Sequence, residues 1–281
     1  MPVRIGFLKL GNIGSAPLIE LLLDERAERQ DIAVRVVSSG AKGVQEVNEA
    51  EEVAKKILEF NPQLIIITSP NAATPGPTRA REIIAPSKIP TIIISDSPAK
   101  KALKSIEDLG MGYIIVEADA MIGARREFLD PIEMALFNAD LIKVLSITGV
   151  YNILFETIDK AIAALKEGRS VELPKIVIDK EVAVKAAGFS NPYAYAKAMA
   201  AYEISRRVAD LTVEACFKVK EWERYTVINA AAHEMMLTAA KLAEEAREIE
   251  KYGDTVVRKP HFDDGTILFK RKLIEKPTKQ T

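Results

Sequence analysis

The sequence has few of the residues that covalent and metal catalysis most often use. It contains one cysteine, Cys216, and two histidines, His233 and His261, among 281 residues. A single cysteine excludes an internal disulfide and a cysteine-based metal cluster. The two histidines are far apart and form no H-E-x-x-H motif, so metal-dependent hydrolysis is a poor prediction. A G-x-S-x-G elbow and a Walker A lysine motif are also missing, which removes the usual signals for serine hydrolases and P-loop enzymes.

The sequence also lacks an excess of charge of either sign, and it lacks long apolar runs. The chain has 39 basic and 40 acidic side chains, a net charge of -1, so no overall field favours nucleic acid. No apolar run approaches the length of a membrane span, and residues 1–10 have the pattern of a strand rather than a signal peptide. We therefore expect a cytoplasmic protein without a membrane or nucleic-acid partner.

Residues 1–120 alternate between strand and helix patterns. Strands are predicted at Val3–Leu10, Ile32–Val37, Leu64–Ile67, Thr91–Ser95 and Gly112–Val116. Between them, Ser15 is expected to cap a first helix, and a second helix is expected at Val44–Phe60. Strands separated by helices of this length predict right-handed βαβ units and a parallel sheet.

The second half is mainly helical. A short strand is predicted at Lys175–Ile178, an alanine-rich helix begins at Asn191-Pro192, and Asp263-Asp264-Gly265 indicates a hairpin turn. The prediction is therefore a Rossmann-like, non-NAD α/β domain at 1–122, a helical bundle with a strand insertion at 123–251, and a small β segment with a tail at 252–281. The small helix residues suit either an intrachain bundle or a subunit interface.

Four loops follow predicted parallel strands: Gly11–Ser15, Ser69–Pro77, Asp96–Pro98 and Glu117–Gly123. If the sheet is doubly wound, these loops project from one edge and line a single cleft. The first loop, GNIG, lacks the G-x-G-x-x-G spacing, and the second strand ends without an acid for a ribose hydroxyl. A nicotinamide dinucleotide is therefore not predicted. The glycines either tighten the turn or expose backbone amides to an anion such as a phosphate.

Two of these loops have unusual compositions. The loop after Leu64–Ile67 carries three prolines, and it is either a rigid surface turn or a fixed platform on which Asn71 meets a planar heterocycle. The segment from Asp119 to Asp130 holds three acids and two arginines. It is either an ion-pair network at a helix start or a site where a carboxylate meets an amidine-like ligand edge and an arginine holds an anion.

Several stretches, taken in order, resemble one family. They are IGFLKLGNIGSAPLIELLLDERAER, SPNAATPGPTRARE, ISDSP, EADAMIGARREFLDPIEMALFNADLIKVL, NPYAYAKAMAAYEI, AAHEMM and KRK. Together they cover essentially the whole chain and resemble the archaeal coenzyme F420-dependent methylenetetrahydromethanopterin dehydrogenases. Leu10 departs from the pattern, because some relatives carry a cysteine there.

The resemblance implies reversible hydride transfer between methylenetetrahydromethanopterin and F420, with F420 as a dissociable cosubstrate and without metal, flavin or NAD(P). It also implies a homo-oligomer, possibly a hexamer. Alternatives are an F420-dependent reductase of another pterin-like substrate and a non-catalytic α/β ligand-binding module. From loop position and resemblance, the predicted cofactor-binding residues are Gly11, Asn12, Pro70, Asn71 and Asp96. The predicted substrate-binding residues are Asp119, Arg125, Arg126, Glu127 and Asp130. No general acid or base is assigned, since positioning alone supports hydride transfer.

Overall fold

Six parallel strands form the central sheet of the computed structural model, which describes residues 1–24 and 29–279. They are β1 (Val3–Lys9), β2 (Ile32–Ser38), β3 (Leu64–Ser69), β4 (Thr91–Ser95), β5 (Gly112–Val116) and β6 (Lys175–Ile178). Strands β3, β4 and β5 are buried along their whole length, as their continuous apolar runs predict. The predicted α/β fold class with a parallel sheet and flanking helices is confirmed.

The helices connect the strands and then build the second half of the chain. They are α1 (Ser15–Leu23), α2 (Val47–Glu59), α3 (Pro75–Ile84), α4 (Leu103–Asp108), α5 (Pro131–Ile147), α6 (Val150–Lys166), α7 (Lys180–Ala187), α8 (Pro192–Val213) and α9 (Trp222–Tyr252). A π-helical turn, Glu214–Lys218, follows α8. Asn191 caps α8 by accepting a hydrogen bond from the Tyr193 amide, as the Asn-Pro pair predicts.

Two predicted helix starts are wrong. The helix expected at Val44–Phe60 is a 3-10 turn at Lys42–Val44 followed by α2, because Glu46 has extended backbone angles that separate the two. Ser15 is the first residue of α1, and Gly14 occupies the cap position. Both differences lie at helix ends, where local patterns determine the boundary poorly.

The order of the strands across the sheet is β2-β1-β3-β4-β5-β6. The chain moves outward from β1 to β2 and then crosses back to place β3 on the other side of β1. The first five strands have the flavodoxin-like order, in which ligands bind outside the carboxyl ends of β1 and β3, where the winding reverses. This switch point lies between the loops that begin at Leu10 and Pro70.

One face of the sheet carries a large apolar core. Alternate residues of neighbouring strands, including Leu8, Ile65, Ile67, Ile93 and Ile115, are almost completely buried on this face. Alanine and isoleucine side chains of α2 and α3 pack against it, namely Ala50, Ala54, Ile57, Ala80 and Ile84. Small alanine side chains let helices approach a sheet closely, and this packing holds the β3 loop in place.

The described chain forms two compact units. The first comprises Met1–Val116, Leu154–Val177 and Pro260–Leu268, and it contains the sheet. The second comprises Glu117–Ile153, Ile178–Lys259 and Phe269–Thr281, and it is mainly helical. The sequence-based division at 122 and 251 stays a prediction of domain organisation.

The predicted C-terminal turn at residues 263–265 is present. Gly265 has a φ of 80°, and the Phe262 amide donates to the Thr266 carbonyl at 2.8 Å. Antiparallel bridges join Arg258 with Lys270 and His261 with Ile267. Two short strands, β7 (Leu268–Phe269) and β8 (Thr278–Lys279), pair beyond the turn.

No single helix in residues 1–24 and 29–279 is long and apolar enough to span a membrane, although α5 and α6 together have the length and composition of a span as a sharply bent pair. The same residues contain no group of three His, Cys, Asp or Glu side chains arranged to hold a metal ion.

Candidate functional site

The loop after β1 packs tightly against the loops after β2 and β3. Gly11 has a φ of 90°, which glycine adopts without the steric cost that other residues incur. A Cβ at Gly11 would lie 2.5 Å from Val44 Cγ2 and 2.9 Å from Pro70 Cδ. The Gly11 amide also donates to the Gly40 carbonyl at 2.9 Å. The β1 and β3 loops therefore meet at the switch point, with Asn12 exposed beside them.

The β3 loop is fixed by its own polar side chains. Asn71 Oδ1 accepts a hydrogen bond from the Ala73 amide at 2.9 Å. Thr74 Oγ1 donates to the Asn71 carbonyl at 2.7 Å. Within the part of the chain that the structure describes, the Asn71 side-chain NH₂ donates to no protein acceptor, and this half-exposed group is available to a ligand. The geometry is that of a rigid platform with one free donor.

Ser95 ties the β4 loop to the β3 loop. Its hydroxyl donates to the Ser69 carbonyl at 2.7 Å and accepts from the Ala72 amide at 3.1 Å. Asp96, which is buried, caps the following 3-10 helix by accepting from the Ser97 amide at 2.6 Å. All five predicted cofactor-binding residues thus lie at the carboxyl ends of the adjacent strands β1, β3 and β4.

Arg81 is a functional candidate that the sequence patterns did not single out. It is 1% exposed and donates from Nη1 to the Ala72 carbonyl at 2.6 Å. Among the described residues it makes no ion pair, and its Nε has no partner. Burial lowers the pKa of the guanidinium to about 10, so it remains charged near neutral pH. A buried cation without an ion-pair partner is costly and persists where structure or function requires it.

Two more buried polar atoms lie close by in sequence. The hydroxyls of Thr68 and Ser69, at the end of β3, also have no partner among the described residues. Buried polar atoms are nearly always hydrogen-bonded, so each exception needs an explanation. Polar residues that end an apolar strand are the sequence signal here, whereas Arg81 gives none, because its burial depends on tertiary packing.

In the second unit, the predicted substrate residues occupy the segment from residue 117 to the start of α5. Asp119 is completely buried. Arg125 donates to the carbonyls of Ala215 and Val219, each at 3.2 Å. Its guanidinium carbon lies 4.3 Å from the centroid of the Tyr225 ring. Arg125 therefore fastens this segment to the end of the π-helical turn.

The remaining predicted substrate residues are more exposed. The Tyr225 hydroxyl hydrogen-bonds to Glu127, which lowers the pKa of the carboxyl and raises that of the phenol. Arg126 is exposed. Asp130 caps α5, accepting from the amides of Ile132 at 2.7 Å and Glu133 at 2.8 Å. Arg125 and Glu127 are thus linked through Tyr225, while Asp130 stands at a helix start.

These features define a class of protein: an α/β protein of flavodoxin-like strand order whose β1 and β3 loops pack together at the switch point. A family profile described as methylene-5,6,7,8-tetrahydromethanopterin dehydrogenase matches residues 3–278. The chain belongs to the methylenetetrahydromethanopterin dehydrogenase family.

Curated relatives match along the whole chain. The F420-dependent methylenetetrahydromethanopterin dehydrogenase of Archaeoglobus fulgidus is 56% identical over 277 residues, covering 99% of this chain and 100% of the relative. The enzyme of that name from Methanocaldococcus jannaschii is 55% identical over 278 residues, with the same coverage. A solved structure superposes with a TM-score of 0.93 at 49% identity, covering 99% of this chain and 100% of the other. It is an F420-dependent methylene-tetrahydromethanopterin dehydrogenase in complex with methylene-tetrahydromethanopterin and coenzyme F420.

Proposed function

We infer that this chain catalyses reversible hydride transfer between methylenetetrahydromethanopterin and coenzyme F420. The products are methenyltetrahydromethanopterin and reduced F420. The observation that carries this function is the full-length match to dehydrogenases of this name, together with the solved relative that holds both ligands. The enzyme is an oxidoreductase with F420 as its cosubstrate.

The switch point of the first unit suits the deazaflavin. At Gly11 the backbone leaves no room for a side chain, and the β3 loop offers the Asn71 NH₂ group on a rigid turn. We assign F420 contacts to Gly11, Asn12, Pro70, Asn71 and Asp96. The bound deazaflavin supplies a ring carbon that accepts a hydride, and these residues hold that ring still. Alignment of two reacting carbons can supply roughly 7–11 kcal/mol of the barrier.

Arg81 has a supporting role in this proposal. Its cation lies behind the β3 loop, where it holds the Ala72 carbonyl. Hydride addition makes the ring more negative until it takes up a proton from solvent, and a buried cation stabilises such charge across a medium of low polarity. Arg81 is therefore proposed as a positioning residue that fixes the loop and biases the local potential.

The acids and arginines of the second unit are assigned to the pterin substrate. Loss of a hydride leaves positive charge on the former methylene carbon, so carboxylates nearby favour the reaction. We propose Asp119, Glu127 and Asp130 as the source of this negative potential. Arg125 and Arg126 are proposed to order the segment and to meet anionic parts of the substrate.

A homo-oligomer is also proposed. The first half of α5 exposes Ile132 (70%) and Leu136 (56%), and the region before α9 exposes Phe217 (73%). Exposed apolar surface of this kind typically marks a protein interface. Light scattering coupled to gel filtration measures the molar mass in solution. A mass above that of one chain supports a homo-oligomer, and six times that mass is the hexamer that the resemblance suggests.

The catalytic proposal is tested by the visible absorbance of F420. The purified protein is mixed with F420 and methylenetetrahydromethanopterin, and the deazaflavin band should fall as the ring is reduced. An unchanged band, with methenyltetrahydromethanopterin and reduced F420 also unreactive, contradicts the assignment. Turnover with another reduced pterin but not with methylenetetrahydromethanopterin would show that the other pterin is the substrate. Ligand binding without turnover would indicate a non-catalytic binding module.

A further inference from the structure

The second unit contains a small cavity beside the end of α9. It is lined by the ends of α5, α7 and α9, the start of α6 and the segment that follows α9. Its volume is about 70 Å³. One buried water needs roughly 10–15 Å³ of such space, so the cavity has room for a small ion with several polar atoms.

Three arginines meet at this cavity. Arg247 of α9 lines it directly. Arg258 donates from Nη1 to the carbonyl of Val256, a lining residue, at 3.2 Å. Arg271 donates from Nη1 to the carbonyl of Gly188, another lining residue, at 3.3 Å. Arg258 also donates to the Arg271 carbonyl. Helix α9 and the C-terminal stretch thus bring three guanidinium groups to one place.

These three cations are not neutralised by ion pairs. In the part of the chain that the structure describes, none of them forms an ion pair with a carboxylate, and Arg247 makes no hydrogen bond. Burial lowers the pKa of Arg247, and the charge of Arg258 lowers it further, while Glu248 offsets this only in part. Arg247 remains exposed to solvent. The cluster is therefore electrostatically unfavourable by itself and open to an anion.

Glu250 is a carboxylate that lines the cavity, but its hydrogen bonds go elsewhere. It is 3% exposed and accepts from the amides of Ser190 at 2.8 Å and Asn191 at 2.7 Å. The Thr255 hydroxyl donates to its second oxygen. Three guanidinium groups against this one carboxylate leave an excess of two positive charges. That excess suits an anion with two negative charges.

We propose that Arg247, Arg258 and Arg271 form a binding site for a tetrahedral oxyanion of the phosphate class. Guanidinium groups bind such anions through paired N–H donors. The Nε and Nη2 groups of Arg258 and Arg271 donate to no acceptor among the described residues, so they are available with the whole Arg247 fork. The bound anion links the C-terminal stretch to α9 and relieves the repulsion among the arginines.

The site uses none of the residues assigned to F420 or to the pterin. The inference therefore goes beyond hydride transfer and does not depend on it. Its consequence is that phosphate binding stabilises the folded chain, since a ligand that binds only the native state shifts the unfolding equilibrium.

The test is calorimetric titration of the full chain with inorganic phosphate at constant ionic strength. The wild type should bind one phosphate per chain in a saturable titration. Arg247→Gln should weaken this binding at least tenfold, equivalent to about 1.4 kcal/mol. Arg224→Gln is the matched control, because Arg224 is an exposed arginine of the same helix that pairs with Glu221 at 3.5 Å. It should bind phosphate as the wild type does.

Thermal melting provides a second measurement. Phosphate should raise the melting temperature of the wild type and of Arg224→Gln in a saturable way, and chloride at the same ionic strength should not. Arg247→Gln should show no such rise. Without phosphate, Arg247→Gln should melt at the wild-type temperature or above it, because the substitution breaks no contact with a described residue and removes repulsion from Arg258.

Three results overturn the inference. The first is a wild type that gives no saturable heat with phosphate, and the second is an Arg247→Gln variant that binds phosphate as tightly as the wild type. The third comes from repeating the titration on protein saturated with F420 and methylenetetrahydromethanopterin. Unchanged phosphate affinity supports a separate site, whereas loss of phosphate binding would assign the arginines to a substrate. Failure of the dehydrogenase assay alone would leave the inference standing.

Discussion

The Arg81 guanidinium donates to the Ala72 carbonyl at 2.6 Å from a position that is 1% exposed. A buried side chain of α3 thus holds the turn that follows β3, at the point where the sheet winding reverses. No carboxylate among the described residues forms an ion pair with it, although Glu82 attracts its charge at longer range, and this distinguishes it from its neighbour Arg79. Arg79 pairs with Glu51 at 3.1 Å and Glu82 at 3.4 Å on the surface of the same helix.

Arg81→Met should raise the KM for F420 about tenfold, since a hydrogen bond from a charged donor is worth about 1.5–3 kcal/mol. The KM for the pterin should change far less, because Arg81 belongs to the first unit. Steady-state kinetics measure both. Arg79→Met is the matched control and should leave both KM values at wild type. If Arg81→Met and Arg79→Met change the KM for F420 equally, Arg81 has no specific role in the proposed F420 site.

Gly11→Ala should destabilise the protein more than Gly40→Ala. Both glycines have positive φ, 90° and 59°, but a Cβ at Gly40 would meet nothing within 4 Å. Gly40→Ala should cost about 1 kcal/mol for the left-handed backbone. Gly11→Ala should cost roughly 1–3 kcal/mol more through overpacking against Val44 and Pro70. Urea unfolding measures the difference, and similar losses in the two variants would contradict the close packing of the loops.

Asp119→Asn should lower kcat for hydride transfer. The change keeps the shape of the side chain and removes the negative charge proposed to face the developing cation. Loss of one such electrostatic contact typically costs 10²–10³-fold in rate. Asp210→Asn, at an exposed position on α8 whose carboxylate pairs with Arg207, is the control. A wild-type kcat in Asp119→Asn would exclude this carboxylate from the charge-stabilising set.

Asp130 offers a test that separates helix capping from substrate binding. Asp130→Ala should cost about 1 kcal/mol of stability, because α5 loses its cap. Asp130→Ser keeps a capping oxygen and should restore most of that stability. If the carboxylate also binds the pterin, the serine variant will still show a raised pterin KM. If Asp130→Ser has both the stability and the pterin KM of wild type, Asp130 acts only as a helix cap.

A matched cap on α7 provides the control for this experiment. Asp179 accepts from the amides of Glu181 and Val182, as Asp130 does on α5. Asp179→Ala should lose a similar amount of stability and keep the wild-type KM for both substrates. A raised pterin KM in this variant would show that loss of a cap alone disturbs the site.

Asp31 should contribute to stability only above acid pH. Burial favours its neutral form, but hydrogen bonds and charge from Arg29 outweigh this and lower the pKa below the ordinary 3.8. Because the folded pKa is the lower one, the contribution is complete above about pH 4 and disappears as the pH falls through the folded pKa. Asp31→Asn should therefore be less stable than wild type at pH 7, by about 2 kcal/mol.

The difference between Asp31→Asn and wild type should narrow as the pH falls below 3.8. Denaturant unfolding across this range measures it. Asp263→Asn, at an exposed position in the C-terminal turn, should match wild type throughout. If the difference in the free energy of unfolding between Asp31→Asn and wild type stays constant with pH, Asp31 acts through its shape and not through its charge.

Local patterns were enough to locate most of the sheet. The predicted strands Thr91–Ser95, Gly112–Val116 and Lys175–Ile178 coincide with β4, β5 and β6, because short β-branched runs bounded by turn residues specify strands locally. The Asn191 cap was predictable for the same reason. The starts of α1 and α2 were missed, since a helix end depends on backbone angles at one residue, Glu46 in the case of α2.

The sequence by itself therefore determined the α/β class, the loops at the strand ends and the family. Only the tertiary structure decided the strand order, the attachment of β6 beside β5, and the burial of Arg81. The periodicity of apolar residues shows which side of its own helix or strand a residue faces. Strand order and the burial of a polar side chain depend instead on contacts with residues distant in the chain. A buried side-chain atom without a hydrogen-bond partner, such as Arg81 Nε among the described residues, is such a feature.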